Sequence, residues 1–169
     1  MRVRGGIARP VVVGIVAALV MVSCGGNGDE DALSEEELVR RSNEICSMHA
    51  RAIEDAARAR FGASREVPSA EEIEDLAENT VVPELDRMLD ELEDLKPPED
   101  EQEEFEDFTE EARRALDDEI KQDPSSILSE QAQSDPFIEA NESAQDFGAT
   151  ECANISQRIR TAAAARPPR

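Results

Sequence analysis

The sequence predicts an all-α fold, an up-and-down helical bundle of three long helices followed by one or two shorter C-terminal helices. Three observations carry this expectation. Apolar and small residues recur at steps of three and four along three segments of similar length. Capping residues and prolines punctuate the ends of those segments. No stretch alternates apolar and polar residues as a half-buried strand does.

The first segment stands outside the fold. Arg2, Arg4 and Arg9 precede an unbroken apolar stretch, Val11 to Val22, and the small residue Ser23 follows it. This is the layout of a secretory signal peptide over residues 1–23. The stretch is shorter than the about 20 residues that a transmembrane helix needs. Met21-Val22-Ser23-Cys24 resembles the lipobox of bacterial lipoproteins, with Met where Leu is usual, so Cys24 is the expected lipidation site. Two or more acyl chains anchor stably where one is marginal. Residues 24–33, glycine-rich and acidic from Gly25 to Asp31, suit a flexible tether.

The bundle domain is expected over residues 34–155. Ser34 and Glu37 form a capping box, flanked by Leu33 and Leu38 at the staple positions. Leu38, Ser42, Ile45, Cys46, His49, Ile53, Ala56 and Ala57 then make one helical face, and Phe61-Gly62 ends it. A second box, Ser69 with Glu72, opens the next stripe: Ile73, Leu76, Ala77, Val81, Leu85, Met88, Leu92 and Leu95. Pro83 interrupts this run, which predicts a kink or short break near Val82. Lys96-Pro97-Pro98 stops it.

Acidic residues from Glu99 to Glu104 favour a third helix start by complementing the helix dipole. Its inner face is Phe105, Phe108, Ala112, Ala115, Leu116 and Ile120, closed by Asp123-Pro124. A short helix is expected around Ser126 to Gln131. Another has Asp135 as cap, Pro136 in its first turn, and Phe137, Ile138, Ala140, Ala144 and Phe147 leading to Gly148. Residues 156–169 read as a C-terminal tail, frayed from Thr161.

Charge excludes some functions. Loss of residues 1–23 removes three arginines and no acids, so 18 basic and 40 acidic residues become 15 and 40, a formal charge of −25. Such a surface repels nucleic acid and anionic lipid headgroups, so no nucleic-acid partner is expected. With no Trp or Tyr and only five Phe, the core must be built mainly from aliphatic side chains.

The remaining chemistry-bearing residues are few. Cys46 and Cys152, in an exported chain, are expected to form a disulfide. The alternatives are free thiols, or a metal site in which Cys46 and His49, one helical turn apart, are joined by Cys152. His49 is the only histidine, and among Ile45, Cys46 and Ile53 its ordinary role is a hydrogen-bonded core imidazole. No nucleophile elbow or phosphate-binding glycine loop is present in the sequence. The acidic runs Asp29 to Asp31 and Glu99 to Glu104 lack calcium-loop spacing.

Ser42-Asn43-Glu44-Ile45-Cys46, Leu95-Lys96-Pro97-Pro98-Glu99-Asp100-Glu101, and Asp135-Pro136-Phe137 through Ala140-Asn141 to Phe147-Gly148 and Cys152 together resemble a group of small actinobacterial lipoproteins. The resemblance spans Ser34 to Cys152. It supports a helical, two-cysteine extracytoplasmic domain and transfers no catalytic, cofactor or metal residues. The function expected is therefore a lipid-anchored module on the extracytoplasmic face of the cell membrane, non-enzymatic, engaging an envelope protein or serving a structural role. A small-ligand or cation binder, with a pocket lined by Phe105, Phe108, Phe137, Phe147 and Met88, is the alternative, and an envelope enzyme the third.

Overall fold

Helix α1 (Glu35–Phe61) starts where Ser34, in extended backbone, accepts the N–H of Glu37 on its hydroxyl. Only this half of the expected capping box forms. The Glu37 carboxylate turns instead to Arg40 and Arg41, charged donors one turn further along, and those two guanidinium groups hold it down to about 2. The computed structural model describes residues 32–62, 67–128 and 135–164. Residues 1–31, on which the expected signal peptide, Cys24 and most of the expected tether fall, and residues 165–169 lie outside the described residues.

Ser69 makes the complete box, accepting from Glu72 N–H while the Glu72 carboxylate accepts from the Ser69 N–H. Helix α2 (Ala70–Leu76) passes without interruption into a π turn, Ala77–Val81, and then α3 (Val82–Glu93). The cause is Pro83, which has no N–H to give the preceding turn. The Val82 N–H reaches back five residues to the Ala77 carbonyl, and the backbone stays right-handed helical throughout. The expected break is thus a widened turn.

Helix α4 (Gln102–Ala115) buries Phe105, Phe108, Ala112 and Ala115 as expected, and a second π turn, Leu116–Ile120, extends the same face with Leu116 and Ile120. Where a short helix is expected around Ser126 to Gln131, Pro124–Leu128 forms a 3-10 turn with Ile127 and Leu128 buried, and residues 129–131 lie outside the described residues. Asp135 accepts the Phe137 N–H and so shapes the turn into α5 (Ile138–Phe147). Phe137, Ala140, Ala144 and Phe147 face inward, whereas Ile138 is exposed. Gly148 ends α5 in the left-handed region at φ 90°, which lets the Ala149 N–H bond back to the Ala144 carbonyl.

The remaining chain corrects one expectation. Residues 156–164 do not trail off: after the single turn α6 (Thr150–Ala153), helix α7 (Ile155–Ala164) buries Ile155, Ser156 and Ile159. The spacing of Ile155 and Ile159 is one helical turn, and both sit on the face that packs against the rest of the molecule.

Among the described residues all regular secondary structure is helical. α1 packs against α3, α6 and α7, while α4 packs against α5 and α3. One core joins them, from Leu38, Ile53 and Phe61 on α1 through Leu85, Leu89 and Leu92 on α3 to Phe105, Phe108 and Leu116. The Leu33 N–H bonds the Lys96 carbonyl at 2.9 Å, which ties the start of α1 to the end of α3.

Candidate functional site

Cys46 and Cys152 are joined, their Cα atoms 5.1 Å apart and 106 residues apart in sequence. Both sulfurs lie in the core, on α1 and α6. With both in the bond, no thiolate remains for the Cys46, His49 and Cys152 metal alternative.

One turn further along α1, His49 is buried against α3. Its Nδ1 lies 2.8 Å from Oε2 of Glu84, and the second oxygen of Glu84 takes Arg87 at 2.8 Å. An ionised carboxylate only accepts, so the ring donates from Nδ1. Nε2 faces Glu91, 3.4 Å from Oε1. That separation is within ion-pair reach, yet no hydrogen bond is made there, and Nε2 is without a hydrogen-bond partner among the described residues. Buried polar atoms of this kind are uncommon, since about nine in ten are partnered. Helical spacing places Glu84 and Glu91 two turns apart on one side of α3, astride the imidazole.

Two further polar groups are built across the fold. Asn43, also on α1, donates to the Gly148 carbonyl at 3.2 Å and accepts the Glu151 N–H at 2.7 Å, so it caps α6 from another helix. Asp135 receives Ser156 and Arg160 on Oδ2, at 2.5 and 2.8 Å, and Ser156 accepts from Asn141. Burial alone would push the Asp135 carboxyl up, but Arg160, Ser156 and the Phe137 N–H outweigh it and hold it below the usual carboxylate range.

Arginines tie the acidic helices together. Arg113 on α4 reaches Asp86, Asp90 and Glu93 on α3 at 2.7 to 2.9 Å. Arg158 on α7 joins Glu54 and Glu151. At the entry to α4, burial together with Glu35, Glu104 and Asp100 pushes the Glu101 carboxyl up. The side chains expected to line a pocket, Phe105, Phe108, Phe137, Phe147 and Met88, are all buried in the core. Phe105 meets Phe108 edge-on and Phe147 at a tilt, with centroids 6.2 and 5.5 Å apart.

Cys24 and the acidic run Asp29 to Asp31 lie outside the described residues. Among the described residues, no helix is long and apolar enough to cross a membrane, and no three His, Cys, Asp or Glu side chains are grouped to hold a metal ion. Comparison of the chain with family models, curated proteins and solved structures finds no match.

Sequence reasoning placed Cys46 and His49 on the inner face of α1 and Cys152 after the last expected helix. It missed Glu84, Glu91, Asn43, Ser156 and Arg160. For Glu84 and Glu91 a signal existed: the seven-residue interval between them returns to the same helical face.

Proposed function

We propose that this chain is an exported bacterial lipoprotein, cut before Cys24, anchored by lipid on that cysteine, and displaying an up-and-down bundle on the extracytoplasmic face of the membrane. The run from Arg2 through Val22 to Cys24 carries this reading. The Cys46–Cys152 bond supports it, because structural disulfides persist in oxidising compartments outside the cytoplasm. The tie between Leu33 and Lys96 supports antiparallel packing of the first two long helical runs.

The domain serves as a non-enzymatic module that binds an envelope protein or braces the envelope. Polar groups at Asn43, Asp135 and Arg113 join helix to helix and are engaged by their partners. The two-cysteine layout from Ser34 to Cys152 also underlies the proposed kinship with small actinobacterial lipoproteins. A second reading, a cation-binding lipoprotein, is favoured by Nε2 of His49, which has no hydrogen-bond partner among the described residues.

Detergent partitioning and mass measurement test the anchor. The wild-type protein should enter the detergent phase with a mass above that of residues 24–169 by a lipid adduct, and Cys24→Ala should abolish both. A soluble wild type of unadorned mass would refute the anchor. Crosslinking on intact cells tests the module: capture of one defined neighbour is expected.

A further inference from the structure

His49 offers its two ring nitrogens to two carboxylates of α3, and only one of these contacts is a hydrogen bond. With Nδ1 donating its N–H to Glu84, a neutral ring has its lone pair on Nε2. That buried atom faces Oε1 of Glu91. Two electron-rich atoms facing each other at the margin of the core, one buried and the other on a half-exposed side chain, favour a positive centre between them, either a metal ion or a second ring proton.

The separation favours a metal. A hydrogen bond from Nε2 would close to about 2.7 to 3.2 Å. Two ligands of a tetrahedral zinc ion, each about 2.0 to 2.2 Å from the metal, stand about 3.4 Å apart, which is the distance found between Nε2 and Oε1. The other nitrogen fits as well: metal-bound histidines donate their second ring N–H to a carboxylate, which sets the tautomer and the ring orientation. Glu84 does this here, and Arg87 fixes Glu84.

Access is provided by Glu91, whose side chain is 47% exposed, so an ion can enter from its side. The acidic surface raises the local concentration of cations around that entrance.

We propose that His49 Nε2 and Glu91 Oε1 bind a divalent transition-metal ion of the zinc type, with Glu84 as the positioning residue and water at the remaining corners. Imidazole with carboxylate is a donor set suited to zinc. With two protein donors rather than the four of a structural site, the ion is exchangeable and the fold forms without it. The assignment is independent of the anchor and holds or fails whether or not Cys24 carries lipid.

The test is titration of the chelator-treated full chain with zinc chloride, read by calorimetry and by imidazole nitrogen NMR. The single histidine makes the spectrum a report on His49 alone. One ion per chain is expected, shifting Nε2 while Nδ1 keeps its proton. His49→Gln should abolish binding, Glu91→Gln should weaken it at least about tenfold, and Glu84→Gln about 10- to 100-fold. Glu103→Gln, on the exposed side of α4, should leave it unchanged. Glu91→Gln alters a half-exposed side chain and so keeps the test decisive even if His49→Gln fails to fold. Zinc binding that survives both His49→Gln and Glu91→Gln would overturn the proposal, assigning the ion to the acidic surface. So would an Nε2 that carries a proton at neutral pH with and without zinc, since the pair would then be an imidazolium and its carboxylate.

Discussion

Asn43 caps a helix that lies 108 residues away in sequence: its Oδ1 accepts the backbone N–H of Glu151 at 2.7 Å, on the second residue of α6. Ala149 precedes α6 and has no side chain able to do this. The same amide donates to Gly148, so one side chain satisfies both the end of α5 and the start of α6. Asn43→Ala would leave these partly buried backbone groups unpaired, a cost of about 1 to 3 kcal/mol. Asn43→Asp should keep the acceptor but set a carboxylate against the Gly148 carbonyl. Both variants should melt below the wild type, and an unchanged Asn43→Ala would show that solvent serves these groups equally well.

The disulfide should contribute more. Closing a loop near 100 residues is worth about 4.7 kcal/mol in the chain-entropy model, often less in practice. The bond is buried, so reductant should act on the native protein slowly and on the unfolded protein fast. Paired Cys46→Ala and Cys152→Ala should lower the melting temperature, and added salt should recover part of the loss by screening the acidic surface. Free thiols at both positions in peptide maps of the unreduced protein would contradict the bond.

Acid should release α7 early. The Asp135 carboxyl is held below its ordinary value by Arg160, Ser156 and the Phe137 N–H, against the opposing effect of burial. A carboxylate depressed in the folded state contributes stability above its unfolded value, and that contribution is lost as pH falls through the folded value. The window therefore opens below about pH 4. Asp135→Asn should melt lower than the wild type at neutral pH, and the two should converge in acid. A constant difference down to about pH 2 would separate Asp135 from the effect.

Arg113 links α4 to three carboxylates of α3. It spreads one guanidinium over Asp86, Asp90 and Glu93, a geometry that a lysine ammonium cannot reproduce. Arg113→Lys should cost about 1 kcal/mol at low salt, and the difference should shrink as ionic strength rises. Equal denaturation midpoints for the two proteins at low salt would show that the contacts are energetically silent.

What the sequence reveals here is local. The Ser69 and Glu72 box, the Pro97-Pro98 stop and the inner face of α4 depend on residues within one or two turns, and all appear where their spacing puts them. Three departures also have local causes: Pro83 widens a turn rather than breaking it, Arg40 and Arg41 draw Glu37 away from Ser34, and Ile155 with Ile159 bury a helix where a tail was expected. The contacts between helices are different. Glu84 lies 35 residues from His49, and Glu54 lies 104 from Arg158. Among 40 acidic residues, no periodicity singles out the one that meets a given cation across the core. The two cysteines escaped this ambiguity because, with Cys24 assigned to the expected lipobox, each has a single possible partner in the sequence.

The bond between α1 and α6 also governs what a protease can accomplish. Every peptide link from Ser47 to Glu151 lies inside the covalent ring that Cys46 and Cys152 close. A single cut within that ring opens it without detaching anything, since the fragments on either side remain joined through sulfur. Whatever holds the chain by its N-terminal end keeps hold of α7 as well, and one nick yields a molecule that separates into two pieces only after reduction.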